Sequence, residues 1–311
     1  MRNHIIVVGS LNMDLVVHTT RHPEPGETLL GNNFQTFPGG KGANQAVAAA
    51  RAGGQVCMIG RVGEDAFGRA LLENISKDGI DTTFVRTTPN CASGVALITL
   101  DAMGQNTIVV ASGANALLTP QDVVASEAAF ENAAALLLQL ETPLATVAQA
   151  VELAHKHKVR ILLNPAPAQA LPSEFLQQID YLIPNEHELA LITGVHGINL
   201  GLDSLASLVG SAVVVTLGAN GVMVAERNNH RKRHHIAAHQ VDVIDTVAAG
   251  DAFVGAFGVA LAEGKSVLDA AAFGNAAGAL AVTQAGAQPS IPTRAAIHHF
   301  LGVSQDLSRA I

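Results

Sequence analysis

The sequence predicts an α/β fold built on a mostly parallel sheet covered by helices. Short apolar runs alternate with helical patterns for most of the length, the order that produces parallel strands joined by helical crossovers. Cap and stop residues bracket the helical stretches. Polar clusters follow the apolar runs, at the strand ends where open α/β sheets bind ligands.

Residues 5–9 are a first strand, an apolar run too short for a secretion signal. Residues 42–52 are an Ala-rich helix stopped by Gly53 and Gly54, 55–60 a strand, and 66–77 a helix closed by Gly79. Thr119-Pro120-Gln121-Asp122 reads as a threonine cap with proline at the first helical position. Residues 134–140 are a buried strand, and Thr142-Pro143 start the next helix. Residues 159–163, 181–183 and 213–217 continue the strand series. Two helix-free stretches break the alternation: 15–38, with Arg21-His22-Pro23-Glu24-Pro25-Gly26, and 94–110, a hairpin turning at Asp101-Ala102-Met103-Gly104. They read equally as ordinary edge hairpins or as a small sheet projecting from the core as a lid.

The 311 residues suffice for one large domain, or a large one and a small one, and neither an internal repeat nor a low-complexity linker divides them. Apolar residues at 49% and charged residues at 14% support a substantial core. A net charge of −8 leaves no footprint for nucleic acid. No stretch approaches the ~20 apolar residues of a membrane span. Cys57 and Cys91 lack metal-ligand spacing and read as buried, reduced thiols suited to the cytoplasm. Residues 227–235, R-N-N-H-R-K-R-H-H, have no interleaved aromatic and no zinc spacing, and read as a solvated hairpin tip.

The chemistry concentrates in a few segments. In D-T-V-A-A-G-D, Asp245 to Asp251, three small residues open a helix whose exposed N–H groups and dipole favour an anion. Asp251 beside an anion site is electrostatically odd unless it takes a proton from something about to attack that anion, as phosphoryl transfer requires. Pro38-Gly39-Gly40-Lys41-Gly42-Ala43-Asn44 is a glycine-rich entry to a helix, with donors at Lys41 and Asn44, but not a Walker A loop. Asn12 and Asp14, two apart in extended chain, read as paired acceptors for a polyol or as an Asx turn. Glu141 ends a strand on the ligand side, or else stabilises the following helix start. Asn185 with Glu188 is a capping box, sufficient on its own to explain both residues. Thr216 to Gly221 is a tight turn that either closes a hairpin or wraps a nucleotide.

Together these segments resemble the ribokinase family of sugar kinases, also called the PfkB family, over nearly the whole chain. The most specific stretches are G-G-K-G-A-N-Q-A from Gly39 and D-T-V-A-A-G-D-A-F from Asp245, where Ala248 stands at a position in which glycine is also common. G-S-L-N-M-D at Gly9, P-G-E-T at Pro25, N-P-A-P-A at Asn164, P-N-E-H-E at Pro184 and G-A-Q-P-S at Gly286 follow in family order. The resemblance implies a three-layer α/β/α core with a small β lid. Residues 1–14, 39–93 and 111–311 would form the core, and 15–38 and 94–110 the lid, which often clasps a second copy into a homodimer. It implies ATP-dependent phosphorylation of D-ribose at the 5-hydroxyl. Asp251 would be the general base, and Ala248, Ala249, Gly250 and Asp251 the anion hole. Asn12, Asp14, Gly40, Lys41, Asn44 and Glu141 would hold the sugar. Asn185, Thr216, Gly218, Gly221 and Asn275 would hold the nucleotide. Glu188 would organise Mg²⁺ and phosphate. Asp245, Val247, Ala281, Gln284, Gly286 and Ser290 would surround an activating K⁺, several through backbone carbonyls.

Residues 194–213 are shorter than usual for this family, and the basic stretch 227–235 is unusual in it. Rival readings are a sibling kinase for deoxyribose, fructose, a nucleoside or a sugar phosphate, and a non-catalytic sugar- or nucleotide-binding regulator. A binding module needs no base, which weighs against the latter. A dinucleotide-dependent dehydrogenase lacks its G-x-G-x-x-G after the first strand.

Overall fold

The computed structural model describes residues 4–227 and 232–302. Its strands are β1 (His4–Val8), β2 (Asn12–His18), β3 (Asn33–Gly39), β4 (Gln55–Gly63), β5 (Asp81–Thr88), β6 (Gly94–Leu100), β7 (Asn106–Ala111), β8 (Ala135–Leu138), β9 (Arg160–Leu163), β10 (Tyr181–Leu182), β11 (Ala212–Thr216), β12 (Val222–Glu226) and β13 (Arg233–Ile236). The helices are α1 (Lys41–Arg51), α2 (Ala66–Lys77), α3 (Pro120–Val124), α4 (Leu144–His157), α5 (Ser173–Leu176), α6 (Glu186–Thr193), α7 (Ile198–Leu205), α8 (Ala249–Ala262), α9 (Val267–Ala281), α10 (Ala287–Ser290) and α11 (Arg294–Phe300).

Nine strands form one sheet in the order β13-β12-β11-β10-β9-β8-β1-β4-β5. Seven run parallel, and β12 and β13 add antiparallel at one edge. Alternation along each strand divides the core into two layers. Ile5, Val7, Leu137, Leu162 and Val214 face α1, α8 and α9. Ile6, Val8, Leu136, Leu138, Val213 and Val215 face α4 and α7. This is the three-layer α/β/α arrangement.

The local signals account for most element ends. Thr119 accepts from the Asp122 N–H and Asp122 returns to the Thr119 N–H, with Pro120 in the first turn. At Pro143 the expectation shifts: its ψ of 133° is extended, so the helix begins only at Leu144 and Thr142 does not cap it. The thiols also differ from expectation, since Cys57 is buried whereas Cys91 is partly exposed. Residues 228–231 of the basic stretch lie outside the described residues. What flanks them is the antiparallel pair β12 and β13.

The four remaining strands form a separate sheet in the order β3-β2-β6-β7. β2 begins at Asn12 and β3 ends at Gly39, so the polar Asn12-Met13-Asp14 segment belongs to this sheet. In its register Asp14 pairs with Ala96 and Ala96 with Val110, which places them on one face. Phe34, Leu97 and Val109 lie on the opposite face and are 62%, 51% and 65% exposed.

α8 is buried on nearly every side, between α1, α9 and the sheet, and its Ala- and Gly-rich sequence makes that packing close. At Gly255 an added Cβ would sit 2.4 Å from the Cβ of Ala48 and 2.7 Å from the Gln45 carbonyl oxygen. This glycine lets α1 and α8 approach until side chains one turn before it, at Asp251, meet those at the start of α1.

Candidate active site

The chain runs from β1 outward through β4 and β5, then returns to β8 on the other side of β1. β1 and β8 therefore flank a topological switch point, where connections diverge and leave a crevice at the carboxyl ends. Gly40, with φ of +86°, carries the chain over this crevice into α1; an added Cβ would lie 2.6 Å from the Asn12 nitrogen. The Glu141 carboxylate, just past β8, accepts from the Ser10 hydroxyl and from the Lys41 N–H at 3.0 Å. Glu141 thus supports the start of α1, not the helix that follows it in sequence.

A cavity of about 390 Å³ occupies the crevice. Asn12, Asp14, Gly40, Lys41, Asn44, Glu141 and Asp251 all line it. Ala96, Ile98, Ile108 and Val110 of the small sheet form an apolar roof. Asn12 is not the acceptor that its spacing suggested. Its Oδ1 is taken by the Asn115 Nδ2 at 2.7 Å, which leaves its own amide protons for a ligand. Among the described residues none donates a hydrogen bond to Asp14, and its nearly buried carboxylate borders the cavity.

Four carboxyl groups, Asp14, Glu141, Glu188 and Asp251, and one ammonium, Lys41, border this space. Burial, reinforced by Glu141 and Asp251, pushes Asp14 up to about 7. Burial also raises Glu188, with a smaller contribution from Asp251. For Lys41 burial acts downward, but the surrounding Asp251, Glu141, Glu188 and Asp14 outweigh it and hold the ammonium above its ordinary value.

Asp251 lies in the first turn of α8. Its Oδ2 accepts from the Asn44 Nδ2 and its Oδ1 from the Gln45 Nε2, each at 3.0 Å. No side chain caps α8, and among the described residues nothing accepts from the N–H groups of Gly250 and Asp251, whereas the Ala249 N–H, also predicted for the anion hole, donates to the Thr246 carbonyl at 3.4 Å. They are the orphan donors that a helix start offers an anion. Ala248, at the cap, adopts φ of +60°, a conformation costing an L-residue roughly 1–2 kcal/mol. The backbone thus bends where the free N–H groups of Gly250 and Asp251 begin the helix.

A second cavity, of about 770 Å³, adjoins the first through Asn185, Thr216, Thr246 and Gly250. Gly218, Gly221 and Asn275 line it. The Asn185–Glu188 capping box is present, with both Glu188 oxygens accepting from Asn185 at 2.9 Å. These residues border the cavities as well, so cap and site coincide. Nothing from 194–213 lines the second cavity; Ala238, His239, Gln240, Val241 and Val243 do.

Asp245 joins two loops: its Oδ1 accepts from the Val247 N–H at 3.0 Å and its Oδ2 from the Gly286 N–H at 2.9 Å. Ala281 ends α9, Gln284 and Gly286 lie in the turn that follows, and Ser290 ends α10. The six residues predicted around a monovalent ion thus fall on two segments that Asp245 holds together behind the α8 start.

The fold agrees with comparison to known proteins. The model of the pfkB family of carbohydrate kinases matches residues 2–294. The chain belongs to the pfkB carbohydrate kinase family. A ribokinase of Haemophilus influenzae is 44% identical over 306 residues, covering 97% of this chain and 99% of that one. A deoxyribokinase of Salmonella typhi is 36% identical over 307 residues, covering 97% and 99%. The structure of Arabidopsis thaliana ribokinase complexed with ribose and ATP is 33% identical with a TM-score of 0.88, covering 98% of this chain and 100% of that one.

Among pfkB residues that the sequence did not single out, Gln45 and Asn115 anchor Asp251 and Asn12 from sites distant in sequence. Gln45 lies inside the G-G-K-G-A-N-Q-A stretch, where helical spacing places it one step beyond Asn44 and deeper in the fold. The 238–243 segment carries no periodic signal at all.

Proposed function

We propose that this protein transfers the γ-phosphoryl group of ATP to the 5-hydroxyl of D-ribose, giving D-ribose 5-phosphate and ADP. The observation that carries the proposal is the junction of the two cavities: Asp251 faces the sugar-sized space, and the uncapped start of α8 faces both. Asp14 accepts sugar hydroxyl protons, while Asn12 and Asn44 donate. Asp251 takes the proton of the attacking hydroxyl, a contribution typically worth about 10²–10⁴-fold. The N–H groups of Gly250 and Asp251 donate to the oxygens of the moving phosphoryl group and stabilise their negative charge, and Lys41 faces the same cavity. The small sheet acts as a lid, its apolar inner face excluding water that competes as nucleophile.

Among the described residues no group of three or more His, Cys, Asp or Glu is arranged to hold a metal ion. Mg²⁺ that arrives with ATP usually binds one or two carboxylates plus substrate phosphates, so it needs no such cluster. Glu188, a buried carboxyl held above its ordinary value, is the residue that would organise it, with Asn185 beside it. Bound Mg²⁺ neutralises phosphate charge. Asp245, Val247, Ala281, Gln284, Gly286 and Ser290 would hold K⁺; their largely carbonyl donor set suits a large monovalent ion. The exposed Phe34, Leu97 and Val109 face of the small sheet suits a homodimer contact. The two free cysteines suit the cytoplasm.

The similar deoxyribokinase supports 2-deoxyribose as the second reading. Proton-coupled ³¹P NMR of the product from ATP and D-ribose tests the attacking oxygen. Transfer to the 5-hydroxyl gives a phosphomonoester signal split into a triplet by the adjacent methylene. A doublet, from transfer to a ring hydroxyl, or orthophosphate alone rejects the proposal.

A further inference from the structure

We infer that Gln45 is a positioning residue for the phosphoryl transfer, fixing the Asp251 carboxylate from behind the sugar cavity without itself touching substrate. The inference rests on the reading of Asp251 as the base.

The two amides that hold Asp251 are adjacent in α1 but occupy different surroundings. Asn44 lines the cavity, so a bound sugar competes for its hydrogen bonds. Gln45 is completely buried and borders neither cavity. Its amide has one workable orientation. Oε1 accepts from the Gln139 Nε2 at 2.6 Å, while Nε2 donates to Asp251 at 3.0 Å and to the Asn164 Oδ1 at 3.2 Å. A flipped amide would set oxygen against the Asp251 carboxylate and nitrogen against a donor. Asn164 is fixed in turn by its Nδ2, which donates to the Ile183 carbonyl at 2.9 Å. Gln139, Asn164 and Ile183 each stand one residue past the ends of β8, β9 and β10. A chain of amides therefore ties one carboxylate oxygen of Asp251 to the carboxyl ends of three adjacent strands.

The terminal torsion of an aspartate is broad. One oxygen held by Gln45 stops that rotation and leaves the face toward the sugar hydroxyl in place when Asn44 turns to substrate. Displacements of about 1 Å at a reacting group cost on the order of 10²-fold in rate.

The test compares Gln45→Met, Gln139→Met, Asp251→Asn and the Gln45→Met/Asp251→Asn double variant. The readouts are kcat, both KM values, calorimetric sugar affinity and thermal unfolding. Gln45→Met is expected to lower kcat by roughly 10–100-fold, with KM and sugar affinity within about threefold of the parent. Gln139→Met, one link back, shows a smaller loss of kcat with the same split, and decides the matter if Gln45→Met does not fold. In the Asp251→Asn background Gln45→Met has no further effect. An unchanged kcat in Gln45→Met beside an inactive Asp251→Asn overturns the positioning role alone. Parallel losses of kcat and sugar affinity overturn it too, as a general structural defect. An active Asp251→Asn overturns the reading of the base itself.

Discussion

Asp251→Asn is expected to lower kcat by about 10²–10⁴-fold or more, while the sugar still binds with near-parental affinity. The substitution preserves volume at a site that is 6% exposed, so α8 keeps its packing. It removes the only group at the α8 start that can take a proton. It also presents an amide nitrogen to one of two donors, Asn44 or Gln45, that now meet oxygen at 3.0 Å. The sugar contacts proposed for Asn12, Asp14 and Lys41 lie on other elements, β2 and α1, which the substitution leaves in place. Steady-state kinetics with calorimetric sugar binding separate the two effects, and near-normal turnover sinks the assignment.

The second large effect is at Asp14, and it has opposite signs for function and for stability. Asp14→Asn removes a charged acceptor. Hydrogen bonds to charged groups contribute about 1.5–3 kcal/mol each, so sugar KM is expected to rise on the order of 10²-fold. The fold should nevertheless gain stability. Asp14 has a folded-state value of about 7 against an ordinary 3.8, which means that folding opposes its ionisation. This cost is absent well below pH 4, grows as pH rises between the two values, and is fully present above about pH 7. Removing the carboxylate should therefore raise the unfolding temperature at pH 8 and change it little at pH 4. In the parent, sugar affinity should weaken as pH falls below about 7. A parent with flat sugar affinity across this range, or a variant with lower stability at pH 8, contradicts the electrostatic account.

The fold was largely legible because its signals are local. The helix predicted over 66–77 is found as Ala66–Lys77, and the Thr119 cap with Pro120 in the first turn forms as read, with the Asp122 side chain turning it into a capping box. The site was legible where motifs carry it: Asn12, Asp14, Lys41, Asn44, Glu141 and Asp251 converge on one cavity. What stayed hidden depends on distant partners. Asn12 became a donor because Asn115, 103 residues away, occupies its oxygen. Glu141 serves α1 because Lys41, 100 residues away, lies next to it. Gln45 looks like one more polar residue of an Ala-rich helix until Gly255 brings α8 against it. The 238–243 segment has no period to read, and only its path along the second cavity gives it meaning.

The most direct test of the central claim is an ADP-release assay on the intact protein with MgATP, over a panel of pentoses, hexoses and nucleosides, with and without K⁺. The account predicts ADP release that depends on added sugar, has its highest kcat/KM with D-ribose ahead of 2-deoxyribose, and increases with K⁺. A higher kcat/KM for a hexose or a nucleoside, or ADP release indifferent to sugar, would contradict it.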